Sequence, residues 1–219
     1  MSKERGTTWF SWTLCAMREP NSERSNQMNG NNVVPLVWRG PFTLQDFQAE
    51  LQGQPEDKAE AARPGVYLHC LQRNAEYYIT YVGKADSIAV RQVQHLRMMN
   101  HRRSSLINIE RFGQTSDIDI TYIPDYSNEA LFTNDALQSN LQSTKVFFSS
   151  VPDDHIIDTE LIEGALQIHL WQRMETRKYL LGTKMVSSWR YRGLIQSNLD
   201  RLHPSRILGI EPEIVCPMP

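Results

Sequence analysis

The chain has 219 residues, with 23 Lys and Arg against 25 Asp and Glu, a net charge of -2 and 40% hydrophobic residues. A mean hydropathy of -0.48 and the lack of any apolar run near the ~20 residues of a membrane span argue against a membrane protein. The pI of about 6.3 argues against bulk attraction to nucleic acid, and the scattered Cys15, Cys70 and Cys216 give neither a disulfide framework nor a zinc spacing, which suits a reducing cytoplasm.

Residues 1–31 are rich in Ser, Asn, Glu and Arg and read as a poorly ordered N-terminal tail. Residues 32–63 read as a strand and helix extension. Within it, Val33 to Trp38 fits an edge strand, because Pro35 cannot donate to a ladder. Thr43 and Asp46 resemble a capping box for a helix through Leu51 that buries Leu44, Phe47 and Leu51. Gln52 to Arg63 reads as a polar connector.

Val66 to Leu71 and Tyr77 to Val82 are β-branched and aromatic runs around a polar loop, the pattern of a hairpin. With the turn centred on Asn74, Tyr67 faces Tyr81 and His69 faces Ile79. The two phenols then share one face, and Val66, Leu68, Cys70 and Val82 line the other, which suits a core. Gly83 ends the strand, and Asp86 or Ser87 caps a helix with an Ala89, Val93 and Leu96 stripe. On that helix Arg91 and His95 are one turn apart. His69 reads as a strand surface residue.

Ser105 to Phe112 reads as a short helix, 117–123 as a third, half-buried strand, and 124–151 as an insertion containing a short strand at Thr144 to Val151. His155 to Leu181 reads as one central helix, apolar almost all round and ended by Gly182. Residues 183–219 form a basic and then Pro-rich C-terminal extension. Basic residues gather at Arg102, Arg103 and Arg111, and again through Arg173, Arg177, Lys178, Lys184, Arg190, Arg192, Arg201 and Arg206. The expected fold is therefore α+β: a small, mainly antiparallel three-stranded sheet, hairpin 66–82 plus strand 117–123, flanked by helices, with extensions at both ends of a domain at 64–182.

Gly65-Val66-Tyr67, Tyr81-Val82-Gly83, Arg91 eight positions later, His95 one turn beyond it and Glu163 inside Leu161-Ile162-Glu163-Gly164-Ala165-Leu166 form an ordered set. In this set the chain resembles the GIY-YIG nuclease superfamily, and Lys84 fits the Tyr-Val-Gly-Lys wording of some restriction enzymes. Residues 64 to about 175 carry the resemblance. One feature departs from it: Trp171-Gln172-Arg173-Met174-Glu175 holds no asparagine where many members have one, and Asn198 is the distant substitute.

The resemblance implies a metal-dependent DNA endonuclease of restriction or defence type, with RNA the less favoured substrate. Tyr67 would be the general base, Tyr81 and His95 would position water or phosphate, Arg91 would bind the phosphate, and Glu163 would hold Mg2+ or Mn2+. For a tyrosine to work near neutrality, Lys84, Arg91 and the metal must favour the phenolate by ~4 kcal/mol. The alternative is a catalytically inactive module of the same fold that binds nucleic acid or a protein partner.

Overall fold

The computed structural model describes residues 33–101, 106–114, 122–123, 133–180, 193–199 and 206–216. Residues 1–31, part of the expected third strand and the basic residues Arg102, Arg103, Lys184, Arg190, Arg192 and Arg201 lie outside them.

The predicted hairpin forms: β3 (Gly65–Arg73) and β4 (Glu76–Ala85) run antiparallel. Its loop is tighter than the polar run suggests, since only Asn74 and Ala75 lie between the strands. Asn74 has a φ of 56°, a left-handed conformation that asparagine tolerates better than most residues.

The register differs from the sequence-based one. Tyr67 lies opposite Gly83, and Tyr81 lies opposite His69, because the ladder shifts between His69 and Cys70. Thr80 is the extra residue, and its hydroxyl donates to the His69 carbonyl at 3.0 Å. The displacement at Tyr67 amounts to two residues, so Tyr67 and Tyr81 keep a common face.

The hairpin is the inner part of a five-stranded sheet, in the order β2 (Arg39–Thr43), β7 (Thr144–Ser150), β3, β4, β9 (Arg206–Ile207). All neighbours are antiparallel except β4 and β9. This corrects the expected three-stranded sheet. The strand beside β3 is β7, whose Val146, Phe147 and Phe148 are buried. Of the expected strand 117–123, Tyr122–Ile123 (β6) pairs instead with β5 (Leu106–Ile107) in a separate ribbon.

A second sheet has the order β1 (Val33–Val37), β8 (Gly193–Asn198), β10 (Glu213–Cys216). β1 is an edge strand, as Pro35 requires. The segments expected as extensions therefore supply strands to both sheets. Long-range pairing, which leaves no local signature, sets that outcome.

The helices pack on this frame. α1 (Phe47–Gln52) buries Phe47 and Leu51 without a capping box, because Thr43 belongs to β2 and Asp46 makes no side-chain cap. α2 (Pro55–Ala61) replaces the expected connector, and its buried Asp57 pairs with Arg39. α3 (Ile88–Asn100) starts at Ser87, whose Oγ accepts from the Val90 amide at 3.4 Å. Its fully buried residues are Ile88 and Gln92, while Ala89 and Leu96 of the predicted stripe are partly buried and pack against the Tyr67 layer.

α4 (Ile109–Gln114) and α5 (Asn134–Ser143) follow, the second lying within the expected insertion. Asn140 on α5 accepts from Ile107 N and donates to Ile107 O, each at 2.8 Å, and so completes the ends of β5. α6 (Thr159–Gln172) carries Glu163, and the predicted long helix breaks at Arg173 before α7 (Met174–Arg177). There the Thr176 hydroxyl donates to the Leu170 carbonyl, taking an acceptor at the end of α6.

Two apolar layers cover the hairpin. Val66, Leu68, Cys70 and Val82 pack with Ile162, Leu166 and Leu170 of α6 and with Leu36, Trp38 and Ile195 of the second sheet. On the other face Tyr67 and Phe148 pack with Phe42, Phe47, Leu51 and Ile88. The alternation along β4 thus sends odd-numbered side chains near Gly83 towards α3 and even-numbered ones towards α6.

Candidate active site

Tyr67, Tyr81, Arg91 and His95 meet on the α3 side. The Tyr67 hydroxyl lies 2.7 Å from His95 Nε2, and Arg91 Nε donates to the same oxygen at 3.4 Å. The Tyr81 ring stands 5.9 Å from Tyr67 and 5.6 Å from His95, centroid to centroid, and its hydroxyl interacts with Tyr67 and Arg91. The helical spacing places Arg91 and His95 one above the other, and the strand pleat turns both phenols towards them.

Gly83 has a packing reason to be glycine. A Cβ there would lie 2.4 Å from both Cζ and the hydroxyl of Tyr67, and 2.7 Å from Tyr81 Cε1. The phenol occupies the space a side chain opposite it would need.

Tyr67 itself is fully buried, while Tyr81 is partly exposed. The expectation of a phenol primed by nearby cations is not met in this arrangement. Burial pushes the Tyr67 hydroxyl far up from its ordinary value, a neighbouring Tyr81 phenolate adds to that, and Arg91 opposes both. Lys84 does not reach the phenol: its side chain leaves β4 on the α6 side and pairs with Glu160 at 2.7 Å.

His69 was expected at the surface and is instead 9% exposed. Its Nε2 lies 2.8 Å from Gln92 Oε1, and its ring packs edge-on against His95 with centroids 4.8 Å apart. The sequence did hold the signal: His69 lies two residues from Tyr67 on one strand, so both point towards α3. Gln92, one residue after Arg91, was hidden because a glutamine in a helix usually faces solvent.

Burial holds both imidazoles neutral, His69 pushed down to about 4 and His95 to about 2 from an ordinary 6.5. Arg91 adds to the lowering of both, and His69 to that of His95. The unfolded chain therefore takes up protons below pH 6.5 that the folded chain refuses, so stability present above that pH is lost as pH falls. Unfolding free energy should drop by up to about 2.7 kcal/mol per pH unit between pH 6 and 4 from these two groups. Urea denaturation of wild type and of His69→Gln/His95→Gln across that range checks this, the double variant showing the shallower slope.

Glu163 lies across β4, on α6, and is 8% exposed. Burial raises its carboxyl above the usual range, Lys84 and Arg91 pull it down, and Glu160 pushes it up. Among the described residues no cation pairs with it directly, and its one hydrogen bond comes from Gln167 Nε2 at 3.4 Å. No group of three or more His, Cys, Asp or Glu converges among the described residues. A buried carboxylate without a cationic partner does fit one divalent cation that keeps several waters. Glu163 and Lys84 thus form a second cluster, joined to the phenol cluster through the charge of Arg91 and through adjacent residues of β4, with no hydrogen bond between the two among the described residues. Asn198, the distant substitute for the family asparagine, belongs to β8 in the other sheet.

Comparisons of the chain with protein-family models, with curated proteins and with solved structures find no match.

Proposed function

We propose that the chain is a metal-dependent endonuclease of GIY-YIG type that hydrolyses DNA phosphodiester bonds. The observation that carries this reading is the Tyr67 hydroxyl held between a neutral imidazole and a guanidinium, at 2.7 Å and 3.4 Å, with a buried carboxylate across β4 that forms no ion pair among the described residues. A purely structural tyrosine needs one partner for its hydroxyl. This one meets a proton acceptor and a permanent cation together.

Arg91 is the phosphate-binding group. In the structure its Nη1 donates to Gln94 Oε1 at 3.0 Å and its Nε to Tyr67, and the two non-bridging oxygens of a phosphodiester monoanion offer a stronger forked partner. As Arg91 turns to the phosphate, the Tyr67 oxygen opens to water. The Tyr67 phenol, whose ionisation Arg91 favours, releases its proton to solvent and the phenolate then takes a proton from the attacking water, while neutral His95 keeps the tyrosine oxygen in place. Tyr81, partly exposed, orients that water. Lys84 exchanges Glu160 for a neighbouring phosphate. Mg2+ or Mn2+ bound at Glu163 supplies charge neutralisation at the phosphate and the leaving oxygen. No described helix is long and apolar enough to cross a membrane. The buried free thiols of Cys70 and Cys216 suit a reducing cytoplasm.

The full burial of Tyr67 and the rise of its pKa favour a second reading, a catalytically inactive module of this fold that binds nucleic acid or a protein. Nicking of supercoiled plasmid with Mg2+ separates the two. The nuclease reading expects cleavage that Tyr67→Phe lowers by about 10²-fold or more. DNA bound and left intact by wild type supports the second reading, and cleavage surviving in both Tyr67→Phe and Glu163→Ala contradicts the residue assignment. Preferential cutting of RNA in competition would change the substrate class.

A further inference from the structure

Three buried side-chain polar atoms lack a partner among the described residues, and two of them flank the candidate site: Gln92 Nε2 and Gln167 Oε1. Gln167 lies one turn after Glu163 on α6 and is 6% exposed. Its Nε2 donates to the Val82 carbonyl at 3.3 Å and to Glu163 Oε1 at 3.4 Å. These two acceptors fix the amide, because flipping it would set oxygen against two oxygens. Oε1 is therefore the atom left over, enclosed and one amide's width from the group that touches the carboxylate.

A buried acceptor without a donor is costly, and such atoms in folded proteins are met by ordered water or an ion. We propose that Gln167 is the positioning residue of the cation site at Glu163, its Nε2 holding the carboxylate against β4 and its Oε1 free to accept from a cation-bound water. This rests on the cation binding assigned to Glu163 in the nuclease reading. Groups that hydrogen-bond a ligating carboxylate orient it and set metal affinity. Here the donor is anchored in turn by Val82, the residue next to Gly83, so the carboxylate is registered to the strand that faces Tyr67.

The test is Mn2+ binding to the full chain, followed by electron paramagnetic resonance without DNA, so that no turnover is needed. Gln167→Met, close in size and unable to donate, should bind Mn2+ about 10- to 100-fold more weakly, and Glu163→Gln should abolish specific binding. The pH of half-maximal binding should also rise in Gln167→Met, because the lost donor favoured the ionised carboxylate. Gln167→Asn, which keeps the amide but shortens its reach, should show the same direction and serves if the first variant misfolds. Wild-type affinity in either folded variant overturns the proposal and leaves the cation site standing. Weaker binding with an unmoved pH midpoint marks a packing defect and overturns it too. No Mn2+ binding by wild type, or binding that survives Glu163→Gln, removes the cation site and the proposal together.

Discussion

Glu163→Gln is expected to slow Mg2+-dependent DNA cleavage by about 10³-fold or more while the protein remains folded. The substitution keeps the shape of a side chain that is 8% exposed and removes only its charge. That charge is costly where it sits, since burial raises the carboxyl and Lys84 and Arg91 offset this only from a distance. Removing it should leave thermal stability unchanged or slightly higher. The cleavage loss corresponds to ~4 kcal/mol of transition-state stabilisation, the scale of a lost metal site. Plasmid nicking rates and thermal melts, run together on wild type and variant, check both halves. A variant that cuts at the wild-type rate removes Glu163 from the chemistry.

Gly83→Ala should damage stability and activity together. The added methyl would lie 2.4 Å from the Tyr67 hydroxyl and Cζ and 2.7 Å from Tyr81, well inside contact distance. Tyr67 cannot swing aside, because it is fully buried against Phe148 and Ile88. Either β4 bends or both phenols shift, at a cost of about 1–3 kcal/mol for overpacking. The shift also breaks the 2.7 Å contact with His95, and displacements of ~1 Å at reacting groups cost about 10²-fold in rate. Gly53→Ala is the control, since its nearest new neighbour is the Glu50 carbonyl at an ordinary 3.7 Å. Urea midpoints and cleavage rates of the two variants decide the matter. Equal behaviour would mean that the phenol does not need the space at Gly83.

Local pattern carried the centre of this molecule. The hairpin, its aromatic face, the Ser87-capped helix and the pairing of Arg91 with His95 all follow from period-two and period-3.6 spacing over about thirty consecutive residues. The bulge at Thr80 escaped that pattern, because nothing local marks a residue that the ladder skips. The face survived only because the slip at Tyr67 came to two residues. The strand expected at Thr144 to Val151 forms as β7, but its place beside β3 was not legible. Strands β8 and β9 were missed for a different reason: they are short and pair across more than a hundred positions with β1 and β4, and β10 then adds to β8. At the site, Tyr67, Tyr81, Arg91 and His95 converge as their spacing implied. The protonation chemistry did not follow the sequence: burial, which a sequence does not state, drives the phenol up and both histidines down. The Glu163 side also changes, because Lys84 leaves β4 with the opposite pleat and pairs with Glu160 rather than the phenol.

The claim under all of this is that the phenol cluster and the carboxylate across β4 serve one scissile phosphate. Crystals of the protein with Mn2+ and a duplex carrying a non-hydrolysable linkage, measured at the manganese absorption edge, address it directly. The account predicts one anomalous peak on Glu163, with a phosphate of the duplex between that peak and the Arg91 guanidinium, and Arg91 turned away from the Tyr67 hydroxyl. A duplex seated elsewhere, or a phosphate on Arg91 with no manganese at Glu163, would contradict it.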